Sequence, residues 1–244
     1  MIPRIIHYCW LSGDSIPADL QKCMQSWKKC LPNYEFILWN LDRFPLGTSL
    51  WVDEAFENGK FAFAADYIRL YALYNYGGIY LDMDVEVLKS FDAFLCLDTM
   101  LCAENSKDNR LEVAAFGAEK GADWIGDCLK YYENKHFVNE DGSFNTRVLP
   151  AIIRDCLLKD GYLLENVETV EQAMKCKNKK LPVFPFDFFS PKSYATGKIE
   201  KTERTCSIHH FSGTWLPWYC SLEKKICSFL GITYRDLLHR HFCK

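Results

Sequence analysis

Between Phe61 and Leu81 the chain changes its hydrophobic period without a linker, and that change limits the folds open to it. Phe61–Tyr76 reads as a helix in an almost wholly apolar run, Gly77-Gly78 stops it, and Ile79-Tyr80-Leu81 continues at once as a strand. A helix that apolar belongs inside a molecule rather than on its surface. Elsewhere the spacing predicts a buried strand over 2–9, an amphipathic helix over 17–30 entered through Pro17, and a second strand over 34–39. Strand, helix and strand in that order open an α/β fold. Extended chain over 85–88, helices over 122–134 and 148–159, and a late strand over 205–210 continue the pattern. Residues 182–191, Phe-rich and bounded by prolines, read as a loop, and 222 onward as one or two helices. With no repeat and no Gly/Ser/Pro linker, one compact domain over 1–244 is expected.

Composition narrows the partners. A net charge of −3 gives no electrostatic reason to expect nucleic acid. The 12 cysteines include no C-x-x-C pair, which predicts buried free thiols in a reducing compartment rather than bridges or a zinc site. No signal-peptide core follows Met1 and no apolar run reaches about 18 residues, so the expected location is cytoplasmic. The segment 222–244 mixes Lys224, Lys225, Arg235 and Arg240 with Phe229, Leu230, Leu237 and Phe242. It reads as a helix packed on the domain with a solvated basic face; peripheral contact with a membrane is the alternative.

The chemistry concentrates in Tyr80-Leu81-Asp82-Met83-Asp84. Were this one strand, Ile79, Leu81 and Met83 would face the core, and Tyr80, Asp82 and Asp84 the other side. Two carboxylates about 6.6 Å apart on one face repel each other, and a hard divalent cation relieves that repulsion. Mg²⁺ or Mn²⁺ suits such oxygen ligands, and two solvated acids at a strand end is the bland alternative. Asp66 and Arg69, spaced i, i+3 on one face of an apolar helix, add a buried acid and a buried guanidinium just upstream. Arg69 is placed to hold Asp82 or to neutralise phosphate charge, and Asp66 to accept hydrogen bonds from sugar hydroxyls.

Asp66–Val85, read as D-Y-I-R-L-Y-A-L-Y-N-Y-G-G-I-Y-L-D-M-D-V, resembles the signature of glycosyltransferases with a DXD sugar-binding region, glycosyltransferase family 32. That family includes relatives of the yeast initiating α-1,6-mannosyltransferase and of bacterial capsular polysaccharide transferases. More distantly, the segment is similar to the catalytic domains of the large clostridial glucosylating toxins. I-P-R-I-I-H-Y-C-W-L-S-G at the start and T-C-S-I-H-H-F-S-G-T-W over 205–215 are similar to the family's first strand and closing motif.

The resemblance implies a GT-A-type α/β domain, a Rossmann-like mixed sheet flanked by helices. Its donor-binding core would span about 1–95 plus the closing motif 205–218, with the acceptor side over about 96–200. It implies that Trp10 stacks on the base of a nucleotide-diphosphate sugar and that Asp66 holds ribose or sugar hydroxyls. Arg69 would support the site and Tyr80 lie beside the donor. Asp84 would be the principal metal ligand, with Asp82 acting through water and His210 near the metal, while His209 faces away. Trp215 would cap the diphosphate, and Asn145 or Glu104-Asn105 would approach the transferred sugar. Retention of anomeric configuration goes with the family, and because no nucleophilic carboxylate can be assigned, internal return is expected rather than a covalent intermediate. A UDP-hexose donor in preference to GDP-mannose, and a saccharide or lipid-linked acceptor in surface or capsular polysaccharide synthesis, also go with the family.

Two rival readings use the same residues. Apolar residues followed by D-x-D-x-V also open haloacid-dehalogenase-type phosphatases, in which Asp82 would be the nucleophile and Asp84 the general acid. A non-catalytic nucleotide-sugar-binding module would keep the same motif.

Overall fold

The computed structural model describes residues 1–105 and 110–213. Nine strands and six α-helices follow in chain order: β1 Ile5–Cys9, α1 Ala18–Cys30, β2 Glu35–Trp39, α2 Leu50–Glu57, α3 Phe61–Tyr76, β3 Gly78–Leu81 and β4 Val85–Val87. After them come β5 Thr99–Ala103, β6 Leu111–Ala118, α4 Asp123–Lys130, α5 Leu149–Lys159, β7 Leu163–Asn166, α6 Val170–Ala173, β8 Lys180–Phe184 and β9 Ser207–His209. Seven strands form one mixed sheet in the order β2-β1-β3-β6-β5-β8-β7, while β4 and β9 pair as a separate two-stranded clip. β1 runs parallel to both β2 and β3, so the carboxyl ends of these three strands open on one edge. β6 enters antiparallel between β3 and β5.

The sheet has a hydrophobic core on each face. Ile79, Leu81 and Met83 enter the core that contains Leu20 and Trp27 of α1, whereas Tyr80 enters the opposite core with Ile68 and Leu73 of α3. Period-two alternation across β3 thus divides the two layers. α3 supplies a fully buried spine, including Ala64, Ile68, Leu70, Ala72 and Leu73. Its exit depends on two glycines. Gly77 caps the helix at φ 66° and donates its N–H to the Leu73 carbonyl at 2.8 Å. At Gly78 (φ +112°) a Cβ would stand 2.7 Å from the Ile5 carbonyl oxygen, so a side chain there would push β1 and β3 apart.

The Phe-rich segment 182–191 departs in part from its expected form. Residues 182–184 lie in β8 rather than in a loop. Pro182 lacks an N–H for the ladder, and β8 is registered on β5 only beyond it, at Val183 and Phe184. The nine described cysteines are free thiols, five of them buried and Cys96 exposed. Among the described residues no helix is long and apolar enough to cross a membrane.

Candidate metal and donor site

At the carboxyl edge of β3 the chain turns rather than continuing as a strand. The Val85 N–H reaches back to the Asp82 carbonyl at 3.0 Å, and the Asp82 N–H donates to the Ala114 carbonyl of β6 at 2.8 Å. This tight turn replaces the pleated spacing expected from the sequence. It brings one carboxylate oxygen each from Asp82 and Asp84, together with a ring nitrogen of His209, within 4.8 Å of one another.

His209 reaches the acids because β9 lies antiparallel on β4, with His209 opposite Val85. Its Nε2 stands 3.5 Å from Asp84 Oδ1 and its Nδ1 3.2 Å from Glu112 Oε2. The other Asp84 oxygen accepts the Ser212 N–H at 2.7 Å. The structure therefore corrects the expected histidine. His210, the next residue along, presents its ring to the other side, where Nε2 lies 2.9 Å from Glu86 Oε2. Neighbouring side chains diverge in extended backbone, so the register of a single strand pair selects His209.

Arg69 ties the helix to the turn. Only 5% exposed, it reaches Asp66 Oδ1 at 3.2 Å and Asp82 Oδ1 at 3.3 Å through Nη2, and donates from Nη1 to the Val113 carbonyl at 2.8 Å. The guanidinium carbon lies 4.6 Å from the centroid of the Tyr80 ring, and the Tyr80 hydroxyl donates to Asp82 Oδ1 at 3.1 Å. A rigid fork with five donors suits this divergent set of acceptors. Cys9, at the end of β1, was not singled out by sequence; its thiol hydrogen-bonds Tyr80, and burial pushes it up to about 12. Its only sequence signal was its place at the end of a strand.

Electrostatics sort the acids. Burial raises Asp66 to about 7, because the nearby Arg69 charge and the Leu149 N–H at the start of α5 offset desolvation only in part. Burial and the Asp84 charge likewise raise Asp82. Burial opposes a charged imidazole at His209, yet Glu112, Asp84 and Asp82 together lift it to about 9. The cluster calls for positive charge, and two carboxylates with an imidazole are a fitting donor set for a divalent cation.

The Asp66 shift carries a stability consequence. A carboxyl whose folded pKa lies above its ordinary 3.8 contributes stability that is full below about pH 4 and lost as pH rises through about 7. The melting temperature of the wild type relative to Asp66→Asn should therefore fall between about pH 4 and pH 7 and level off above. A constant difference across that range would show that Asp66 is ionised at no cost.

The remaining expected residues are more scattered. Trp10 follows β1, half-buried, with its indole N–H donating to the Asp14 carbonyl at 2.8 Å. It shares the carboxyl edge with the acids through the β1–β3 pairing. Asn145 lies in the segment leading to α5, its N–H bonded to the Phe137 carbonyl at 2.8 Å. That segment reaches the site at Leu149, whose N–H meets Asp66. Glu104 closes the β5–β6 connection through its N–H to the Arg110 carbonyl at 2.8 Å. Trp215 and the basic segment 222–244 lie outside the described residues.

A mixed sheet with an acidic turn at the carboxyl edge of its parallel strands defines the class: a GT-A-type glycosyltransferase fold. A likeness of fold to a solved structure, the PaToxG glycosyltransferase, agrees, with a TM-score of 0.51 and 18% identity over 65% of this chain and 70% of that one. Residues 17–106 match the family model described as "Glycosyltransferase sugar-binding region containing DXD motif".

Among curated proteins the chain is 34% identical over 101 residues to inositol phosphoceramide mannosyltransferase 3 of Schizosaccharomyces pombe, a match covering 38% of this chain and 27% of that protein. It is 36% identical over 108 residues to mannosyl phosphorylinositol ceramide synthase SUR1 of Saccharomyces cerevisiae, covering 39% and 27%. An uncharacterized glycosyltransferase of Acanthamoeba polyphaga mimivirus is 34% identical over 114 residues, covering 44% and 45%. The match thus spans about a quarter of the length of the two yeast proteins.

Proposed function

We propose that this protein is a metal-dependent glycosyltransferase that moves a hexose from a nucleotide-diphosphate sugar to a saccharide or lipid-linked acceptor. The observation that carries this reading is the convergence of Asp82, Asp84 and His209 within 4.8 Å, inside a fold and a sequence region shared with glycosyltransferases. A divalent cation held by these three side chains would supply charge neutralisation to a departing diphosphate. Arg69 fixes the Asp82 carboxylate from behind, so that the acid keeps one orientation whether or not substrate is bound. Asp66, one turn of α3 away, offers an oxygen to sugar hydroxyls, and Trp10 offers an aromatic face for the base.

Imidazole in the ligand set favours Mn²⁺ over Mg²⁺, which prefers an all-oxygen shell. The names of the yeast relatives place mannose first among the hexoses to be tried and a glycolipid headgroup among the acceptors. A cytoplasmic location, with or without peripheral membrane contact through 222–244, belongs to the same reading, as does a place in surface polysaccharide synthesis. The phosphatase alternative draws no support: Asp82, its required nucleophile, is engaged by both Arg69 and Tyr80.

The test is a thermal-shift panel of UDP and GDP, each with and without Mn²⁺, on wild type and Asp84→Ala. A nucleotide at a hundredfold excess over its dissociation constant stabilises by about 2.7 kcal/mol. The expected result is a shift with one nucleoside diphosphate that requires both Mn²⁺ and Asp84. Folded protein that responds to neither nucleotide would overturn the assignment.

A further inference from the structure

We propose that Glu112 is the positioning residue for His209: it accepts the Nδ1 proton and thereby turns the Nε2 lone pair toward Asp82 and Asp84. The inference rests on the metal reading above and adds to it a residue that carries no part of the DXD motif or the closing motif. Glu112 is 3% exposed, between Leu111 and Ala114, each 1% exposed, where a carboxylate is costly unless fully partnered. It has partners on both oxygens. Oε1 accepts the Ala114 N–H at 2.8 Å, and Oε2 faces His209 Nδ1 at 3.2 Å.

The backbone explains how that arrangement arises. The β5–β6 ladder is irregular, passing from Met100 opposite Gly117 to Cys102 opposite Glu112, so the stretch between them on β6 is out of register with β5, while Ala115 and Phe116 stay paired with β3. Irregularities of this kind re-aim side chains beside functional sites. Here the backbone groups of Val113 and Ala114 all serve one cluster. The Val113 carbonyl takes Arg69, the Ala114 carbonyl takes the Asp82 N–H, and the Ala114 N–H takes Glu112. Glu112 is thereby fixed before it meets His209.

The tautomer follows from hydrogen-bond capacity. A carboxylate can only accept, so the ring must donate from Nδ1, which leaves Nε2 to face Asp84 Oδ1 at 3.5 Å. A cation between Nε2 and Asp84 would take the place of the Nε2 proton, while the Nδ1 proton stays on Glu112. A ligating histidine is commonly held in this way by its second nitrogen, and loss of such a partner weakens metal binding about 10- to 100-fold.

The experiment is Mn²⁺ binding to the full chain without nucleotide, read by electron paramagnetic resonance of the free ion, on wild type, Asp84→Ala and Glu112→Gln. Glutamine keeps the shape, but its one oxygen cannot accept from both Ala114 and His209, and its amide turned toward the ring favours the opposite tautomer. The expected result is a 10- to 100-fold weaker Mn²⁺ affinity in Glu112→Gln, near that of Asp84→Ala. Wild-type affinity in Glu112→Gln, with binding still lost in Asp84→Ala, would overturn the role of Glu112 and leave the metal site standing. Failure of the wild type to bind Mn²⁺ would overturn both. A second measurement needs no variant: ¹⁵N resonances of His209 in wild type loaded with diamagnetic Zn²⁺, which takes imidazole ligands, should show the Nδ1–H tautomer, and an Nε2–H tautomer there would equally overturn the proposal.

Discussion

Asp84→Ala should lower the transfer rate by at least about 10²–10³-fold while leaving the protein folded. The side chain is the hinge of the site: one oxygen faces His209 and the other accepts the Ser212 N–H at 2.7 Å. Alanine removes a negative ligand from the cation position and the acceptor that draws the segment after β9 onto the turn. Asp84→Asn separates these effects, because an amide oxygen still accepts from Ser212 but supplies no charge. If charge dominates, as expected of a site with the proposed role, asparagine will be nearly as inactive as alanine. Transfer rates with saturating Mn²⁺ and each of several nucleotide sugars decide the matter. Activity in Asp84→Asn close to wild type would move the role of Asp84 from the metal to the closing contact.

The second large effect is on stability. Arg69→Met should destabilise the fold by up to about 3–5 kcal/mol, because it leaves the partly buried Asp66 and Asp82 without their shared cation rather than merely removing a charge. For a chain of this size that corresponds to a fall in melting temperature of roughly 6–20 °C. Asp66, Asp82 and the Val113 carbonyl all lose their shared donor, and Tyr80 loses the guanidinium over its ring. Methionine fills similar volume, so little of the loss comes from a cavity. The diagnostic comparison adds Asp66→Asn. If stranded charge is the cause, the double variant should recover part of the loss even though it makes fewer contacts than the single one. Strict additivity would point to packing instead. Arg69→Lys should fall between, since one ammonium cannot span acceptors that diverge from the helix, the turn and β6.

Some of this architecture could be read directly from the amino acids. α3, its glycine stop and the division of β3 between two cores follow from period and from backbone permissiveness, both local properties. The pairing of Arg69 with Asp66 and Asp82 also follows, because a guanidinium in an apolar helix must find acids nearby. What could not be read depends on partners distant in sequence. A strand reading of Asp82-Met83-Asp84 misses the turn because the ladder holds only as far as Asp82, whose N–H meets the Ala114 carbonyl, and where pairing stops is set by β6. The choice between His209 and His210 rests on a strand register that no local pattern records. Glu112 left one faint signal, a lone acid in the run Leu111-Glu112-Val113-Ala114-Ala115-Phe116, but only the irregular ladder shows why it is tolerated.

The clip of β4 on β9 also bears on how the protein is made. Ser212 and Asp84 are 128 residues apart in the chain, yet joined by a direct hydrogen bond. While a ribosome is still extending the chain, the acidic turn can emerge and β1 to β3 can associate with no histidine in place. Contacts of such long sequence range form late, since loop closure precedes any reward. A complete acidic cluster thus has to wait until the chain has been made past Ser212, so that translation products ending earlier would carry the DXD sequence without the histidine and the closing contact.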